Sequence, residues 1–158
     1  MKLTTICYIK KDNKTLMLYR NKKENDMHEG KYVGVGGKFE EGETPEECIL
    51  REVKEETGLT LKSTKYSGLI TFPKFKNNED WYMFIYSSDE FEGDLTKEDM
   101  KNCPEGKLVW VDNDKLLDLN MWEGDKLFLK WVETNRIFSA KMTYEGKKLK
   151  DYNVVFHT

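Results

Sequence analysis

The hydrophobic and polar positions along the chain follow two different periods, which predicts a mixture of strands and helices. Residues 3–10 and 15–20 are rich in β-forming residues and flank a polar turn, so they are expected to form a hairpin. The pattern also predicts strands at 64–72, 80–86 and 107–112, a helix at 122–135 and a terminal hairpin at 139–156 that turns at Glu145-Gly146. Because strands and helices do not alternate regularly, the expected fold class is α/β or α+β.

The clearest helix is predicted over residues 45–57. Thr44 is suited to the N-cap position, Pro45 to the first helical position, and Glu47 completes a Thr-x-x-Glu capping box. Gly58 stands where a residue in the left-handed conformation ends a helix. These local signals agree with one another, so both ends of this helix are defined by the sequence.

Composition and charge narrow the class of protein. At 158 residues, with 38% hydrophobic and 13% aromatic residues, the chain can bury one core, so a single domain over residues 1–158 is expected. A formal net charge of -3 provides no long-range attraction to polyanions, so stable nucleic-acid binding is not expected. Three widely spaced cysteines support neither a zinc ribbon nor a disulfide framework. The first eleven residues are too short and too soon charged for a signal peptide, and no run of 18 apolar residues occurs. Both observations favour a cytoplasmic protein without membrane association.

The predicted helix carries a cluster of carboxylates. At 100° per residue, Glu52, Glu55 and Glu56 fall within an arc of about 100° on one face, where like charges repel. The preceding run 31–37 is strand-like but rich in glycine, which indicates close approach of the backbone to another group. Carboxylates beside such a loop suit a hard divalent cation. The alternative is an ordinary solvated acidic helix in which Arg51 forms salt bridges with its neighbours.

The spacing of the charged and glycine residues is more specific than the cluster alone. It follows the pattern Gly-x5-Glu-x7-Arg-Glu-U-x-Glu-Glu-x-Gly-U, where U is a bulky aliphatic residue, at Gly37, Glu43, Arg51, Glu52, Val53, Glu55, Glu56, Gly58 and Leu59. This pattern resembles the complete Nudix box. Further segments are similar to the MutT-type mutator phosphohydrolases, and to their oxidised-purine triphosphatase branch, at 29–38, 71–73, 91–95, 105–110 and 121–125.

The resemblance implies a fold and a chemistry. The implied fold is an α/β/α sandwich around a mixed β-sheet, and the implied reaction is Mg²⁺-dependent hydrolysis of a nucleoside diphosphate linked to another moiety, with Mn²⁺ as a substitute. Hydrolysis of a pyrophosphate bridge requires its negative charge to be offset and a water to be aligned, and carboxylate-held Mg²⁺ ions supply both.

The resemblance also assigns roles to individual residues. Glu52, Glu55 and Glu56 are implied to be metal ligands, and one of them to deprotonate the water, although the sequence does not decide which. A backbone carbonyl of Gly36 or Gly37 and the carboxylate of Glu105 complete the implied set. For this last position Glu98 and Asp99 are competitors, and Glu105 could instead be a simple turn residue.

Four residues of the box are implied to be structural. Arg51 is expected to pair with Glu43 and so to fix the loop of the box. Gly58 is expected to adopt a positive φ, and Gly37 to allow close approach to metal and phosphate.

The base and the phosphates require further contacts. Phe72, Trp122 and Tyr32 are candidates for stacking on the base, and Asp125 matches an acidic residue that reads a purine edge in the oxidised-purine triphosphatases. The alternatives are a core role for Phe72 and a hydrophobic staple for Trp122. Arg20 and Lys38 are candidates for phosphate contacts or are solvated surface charges.

The sequence also departs from that branch at two positions. Gly124 replaces a second purine-reading acid, and Val33 replaces an asparagine before the glycine-rich run. The expected activity is therefore nucleoside triphosphate pyrophosphohydrolysis, with 8-oxo-dGTP as the leading substrate, monophosphate and pyrophosphate as products and nucleotide-pool sanitation, a form of DNA repair, as the purpose. Hydrolysis of ADP-ribose or a diadenosine polyphosphate is the alternative. A binding module without turnover would predict a damaged glutamate set, and no motif for an isomerase is visible.

Overall fold

The computed structural model describes residues 1–157, which form eleven strands, three α-helices and one short 3₁₀ helix. The strands are β1 (Lys2–Lys11), β2 (Lys14–Arg20), β3 (Tyr32–Val33), β4 (Val35–Lys38), β5 (Thr60–Leu61), β6 (Lys65–Lys76), β7 (Glu79–Ser88), β8 (Phe91–Glu92), β9 (Gly106–Asp112), β10 (Ile137–Glu145) and β11 (Lys148–His157). The helices are α1 (Pro45–Thr57), α2 (Lys97–Lys101) and α3 (Glu123–Val132), and the 3₁₀ helix is Asn113–Asp118.

Strand β1 is the centre of a mixed nine-stranded sheet. The strand order is β11-β10-β6-β7-β1-β2-β3, with β4 paired to β1 and β9 paired to β2. Strand β1 runs parallel to β7, and it pairs in antiparallel fashion with β4 through residues 4–7 and with β2 through residues 9–11. Strand β1 therefore pairs with β4 through its first half and with β2 through its last residues.

Two hydrophobic cores lie on opposite faces of this sheet because side chains of β1 alternate between them. Tyr8 belongs to the core on the side of α3, where its ring centroid lies 6.3 Å from that of Phe128. Cys7 belongs to the other core, together with Ile49 and Val53 of α1. Helices therefore cover both faces of the sheet, which confirms the predicted α/β/α sandwich around a mixed sheet.

Helix α1 and the first hairpin form as their sequences predict. Thr44 caps α1 in a complete capping box with Glu47, and Gly58 ends the helix with φ of 77°. The hairpin between β1 and β2 turns at Asp12 and Asn13, whose φ values of 53° and 62° are typical of a type I′ turn.

The strands at 64–72, 80–86 and 107–112 and the terminal hairpin are also present, although β6 extends to Lys76 and α3 is shorter than predicted. The sequence analysis missed α2, the 3₁₀ helix and the two-residue strands β5 and β8. Each of these elements has two to six residues, which are too few to show a period of hydrophobic positions. In the described range 1–157, no helix is long and apolar enough to cross a membrane.

Candidate active site

A cavity of about 590 Å³ opens between β1, β4, α1 and the loops that precede β3 and α3. One part of its lining is acidic and consists of Glu52, Glu56 and Glu105. Another part is aromatic, with one further acid, and consists of Phe72, Phe75, Trp81, Trp122, Tyr144 and Asp125. The same cavity therefore combines oxygen ligands for a cation with surfaces on which a planar ring can stack.

Two glycines of β4 let the acidic helix approach the sheet. A Cβ atom at Gly36 would overlap the carbonyl oxygen of Thr5 on β1, and one at Gly37 would overlap the carboxylate of Glu52 on α1. Both positions therefore require glycine for space, and Gly58 requires it for conformation. Because Gly36 and Gly37 have no side chains, the side chain of Glu52 passes over β4 and reaches the cavity.

Glu56 is the most deeply buried carboxylate of the acidic part. Burial raises its pKa to about 9, and the nearby charges of Glu105 and Glu52 act in the same direction. Burial also raises the pKa of Glu52, against the opposing effect of Arg51. The Oε2 atom of Glu56 has no hydrogen-bond partner among residues 1–157. A carboxyl group with one buried, unpartnered oxygen, close to two other carboxylates, is a costly arrangement that a bound cation would stabilise.

The structure does not bring Glu55 to this cavity. Its side chain is 57% exposed, and its carboxylate accepts a hydrogen bond of 3.2 Å from Arg51. Within the described chain, no three His, Cys, Asp or Glu residues already converge closely enough to hold a metal ion. The oxygen donors and the unpartnered Glu56 nevertheless fit a hard divalent cation, with Glu52, Glu56 and Glu105 as its carboxylates.

Arg51 connects the helix to the loop before it. Its Nε atom donates to Oε2 of Glu43 at 2.7 Å, and its Nη2 atom donates to Oε1 at 2.9 Å. Hydrogen bonding from Arg51 is the main reason why the pKa of Glu43 falls to about 2. Nη1 also donates to Glu52 at 2.9 Å. One guanidinium therefore fixes the loop and orients a carboxylate of the cavity.

Arg20 and Glu105 lie in the cavity wall and form an ion pair with each other. Nη1 of Arg20 donates to Oε2 of Glu105 at 2.9 Å, and Nε donates to Asp26 at 2.9 Å. Glu105 therefore occupies the cavity, whereas its competitor Asp99 caps α2 by accepting from the backbone N–H of Thr96. Arg20 already donates to two carboxylates, so fewer of its N–H groups are free to bind a phosphate.

The remaining predicted substrate residues divide between cavity and core. Lys38 lines the cavity, and its Nζ atom lies 5.4 Å from the ring centroid of Trp81. Tyr32 does not line the cavity; its ring packs at 4.8 Å from that of Tyr19. Phe72, Trp122 and Asp125 all line it.

Four rings form what we call the aromatic cluster: Phe72, Phe75, Trp122 and Tyr144. The ring of Phe75 lies between two of the predicted stacking residues, at 5.3 Å from Phe72 and 5.5 Å from Trp122. Nε1 of Trp122 donates to Nδ1 of His28 at 2.8 Å, which fixes the indole. Burial lowers the pKa of His28 to about 4, so its Nδ1 is an acceptor at neutral pH.

Asp125 is half-buried and lines the cavity beside the aromatic cluster. Burial raises its pKa to about 7, and the charge of Lys31 opposes this shift. Its carboxyl group therefore exchanges a proton near neutral pH and can act as a donor or as an acceptor. This property suits a group that reads the polar edge of a base.

Sequence reasoning missed Phe75 and Tyr144. The pairing of β6 with β7 shifts between Phe72 and Lys76, and Lys74 there has a φ of 48°. Simple alternation from Phe72 places Phe75 on the opposite face, and this irregularity brings it to the same one. Tyr144 continues the alternation of buried residues along β10, so a signal existed, but no motif marked it.

Comparisons with known proteins agree with this geometry. A family model described as the NUDIX domain matches residues 2–132. The crystal structure of the mutator MutT protein from Bacillus halodurans superposes with a TM-score of 0.84 at 30% identity, covering 98% of this chain and 97% of that one.

Two relatives point to different substrates. The oxidized purine nucleoside triphosphate hydrolase of Danio rerio is 29% identical over 145 residues, which cover 92% of this chain and 88% of the relative. The ADP-ribose pyrophosphatase of Methanocaldococcus jannaschii is 34% identical over 125 residues, which cover 73% and 70%.

Proposed function

Because the chain belongs to the NUDIX family and is a hydrolase acting on pyrophosphate bonds, we propose that its substrates are purine nucleoside triphosphates, 8-oxo-dGTP first among them. The products are the nucleoside monophosphate and pyrophosphate, and the required ion is Mg²⁺ or, as a substitute, Mn²⁺. Removal of oxidised nucleotides from the precursor pool is the corresponding biological role.

One observation carries this proposal. The acidic part and the aromatic cluster line a single cavity, so a triphosphate and its base can be held at the same time. The aromatic rings and the buried carboxyl of Asp125 suit a purine with polar edge groups, because stacking contributes about 1–3 kcal/mol per base and hydrogen bonding adds discrimination.

Glu52, Glu56 and Glu105 would hold the metal ion, which supplies charge neutralisation and lowers the pKa of a bound water. Arg51 orients Glu52 through its hydrogen bond and keeps the loop of Glu43 against α1. Buried carboxylates of this kind are also the groups that can accept a proton from the attacking water. The chain thus provides alignment and a proton acceptor on a rigid helix.

ADP-ribose is the second candidate substrate, and the archaeal pyrophosphatase at 34% identity favours it. ADP-ribose also contains a purine and a pyrophosphate bridge, so the aromatic cluster and the acidic part can accommodate its common features. It differs in its second ribose, which replaces the terminal phosphate of a triphosphate. The triphosphate is the preferred substrate class because the relative named for it aligns with 92% of this chain, against 73% for the ADP-ribose pyrophosphatase.

The test is a comparison of kcat/KM for 8-oxo-dGTP, dGTP and ADP-ribose with Mg²⁺, and with EDTA as the control. We expect the highest value for 8-oxo-dGTP, release of pyrophosphate and loss of turnover in EDTA. A higher value for ADP-ribose would assign the enzyme to the alternative substrate class and overturn the proposal.

A further inference from the structure

Helix α3 and strand β10 meet at a hydrogen bond in the wall of the cavity. The backbone N–H of Gly124, in the first turn of α3, donates to the hydroxyl oxygen of Tyr144 on β10 at 2.7 Å. Tyr144 lines the cavity and its hydroxyl is partly buried. The position of this phenol is therefore fixed by the backbone of the helix that also carries Trp122 and Asp125.

Gly124 is glycine because the phenol occupies the space of a side chain. A Cβ atom there would lie 2.6 Å from Oη of Tyr144 and 2.5 Å from Sδ of Met142. The backbone of Gly124 does not have the positive φ that would demand glycine. A larger residue at position 124 would therefore displace the hydroxyl of Tyr144, and it would not strain the backbone.

The hydroxyl of Tyr144 has a proton to donate. A phenol carries one donor and acceptor lone pairs, and the N–H of Gly124 uses a lone pair. In the part of the chain that the structure describes, the O–H has no acceptor within hydrogen-bond distance. Because the hydroxyl lines the cavity, its proton is available to a ligand there.

The surroundings of this donor define what it can bind. The ring of Tyr144 lies edge-on to Trp122 at 5.2 Å and to Phe75 at 5.8 Å, so the walls around it are apolar. Asp125 follows Gly124 directly and lines the same cavity. A donor and a carboxyl group therefore line the same cavity as the stacking surface.

We propose that Tyr144 is a specificity-determining residue, whose hydroxyl donates to a purine carbonyl oxygen while Asp125 meets a neighbouring ring N–H. This inference rests on the proposed function, since it assumes a nucleotide in the cavity. The preferred bases are those in which a carbonyl stands beside a ring N–H, as in guanine and 8-oxoguanine. A purine without the carbonyl leaves the hydroxyl unpaired and is bound less well.

The experiment measures binding of three nucleoside monophosphates by calorimetry, so that it does not depend on turnover. The ligands are dGMP, 8-oxo-dGMP and the 2-aminopurine deoxyribonucleotide, which lacks the 6-carbonyl and N1–H of guanine. The variant is Tyr144→Phe, and the matched control is Tyr152→Phe, an exposed tyrosine on β11.

We expect Tyr144→Phe to weaken binding of at least one of the two carbonyl-bearing ligands about tenfold, and to change the 2-aminopurine Kd less than twofold. Tyr144→Phe also removes the acceptor of the Gly124 N–H, but this loss affects all three ligands equally. The difference between the ligands therefore reports the hydrogen bond that the Tyr144 hydroxyl donates. Tyr152→Phe should change none of the three. Equal losses for all ligands, or no loss, would overturn the inference.

A second variant approaches the same contact from the helix. Gly124→Ala should displace the hydroxyl and cause the same ligand-selective loss, and it should add little in the Tyr144→Phe background. Ligand-selective losses that add in the double variant would overturn the inference, whereas the contact of the new Cβ atom with Sδ of Met142 should affect all three ligands equally. If the wild-type protein binds none of the ligands, the inference is also overturned, and pyrophosphate release from the triphosphates decides separately whether the proposed function stands.

Discussion

Arg51 and Glu43 form a two-point ion pair between helix α1 and the loop that precedes it, with N–O distances of 2.7 and 2.9 Å. The same guanidinium donates to Glu52, which lines the cavity. A lysine in this place would provide a point charge and could not satisfy all three oxygens. The pair therefore links the geometry of the loop to the orientation of a carboxylate at the site.

The pH dependence of stability tests the Arg51–Glu43 pair. The pKa of Glu43 is lowered from 4.5 to about 2, so its ion pair stabilises the folded state above pH 4.5 and is lost as the pH falls towards 2. Melting temperatures of the wild type and of Glu43→Gln should therefore converge as the pH is lowered from 5 to about 2. A difference that stays constant over this range would contradict the assignment.

Substitution of the carboxylates in the cavity tests the acidic part. Glu52→Gln and Glu56→Gln should each lower kcat by about 10²–10⁴-fold, the range typical of acid–base groups, without loss of the fold. Circular dichroism and melting curves check the fold. The control is Glu133→Gln, directly after α3 and 70% exposed, which should turn over like the wild type. Wild-type kcat in both cavity variants would refute the role of this face.

Asp125 gives a stability profile of the opposite sign. Its pKa is raised from 3.8 to about 7, so the folded state holds a proton that the unfolded chain releases. The free energy of unfolding should fall as the pH rises from 4 through 7, by a few kcal/mol at most, since each pH unit in this range costs at most about 1.4 kcal/mol. Asp125→Asn should reduce this slope below pH 7 and be the more stable protein at pH 8, whereas the contribution of Glu56, whose pKa is raised to about 9, remains in both proteins. If denaturant titrations at pH 4 to 8 give the same slope for Asp125→Asn and for the wild type, then Asp125 is ionised in the folded state and the prediction is wrong.

His28 is expected to act on the substrate through Trp122. His28→Leu removes the acceptor at 2.8 Å from Nε1 of the indole, so the ring should lose its fixed orientation and KM should rise several-fold with a smaller change in kcat. His28→Gln retains an acceptor and should recover part of the KM. Equal KM values in the two variants would indicate that His28 only fills space.

Local signals explain why some features were predictable from the sequence. The capping box at Thr44 and the left-handed Gly58 are set by neighbouring residues, so the bounds of α1 could be predicted. The resemblance to the Nudix box implied that Arg51 would pair with Glu43, and the structure shows this pair.

The side-chain directions in the site could not be predicted in the same way. A helical wheel places Glu55 on the face of Glu52 and Glu56, yet Arg51 holds it at the surface. A helical wheel gives the angle of each side chain about the helix axis. It does not show which charged partner a side chain will bind. Phe75 depends on the irregular pairing of β6 with β7 between Phe72 and Lys76, where simple alternation no longer gives the face of a side chain.

The central claim is that the acidic and aromatic parts of one cavity together cleave a nucleoside triphosphate between its α- and β-phosphates. Phosphorus NMR of 8-oxo-dGTP incubated with the enzyme and Mg²⁺ tests it directly. We predict the signals of 8-oxo-dGMP and pyrophosphate in equal amounts, and only a small fraction of them after the same time in a parallel sample of Glu56→Gln. Release of orthophosphate as the first product, or an unchanged triphosphate spectrum, would contradict the claim.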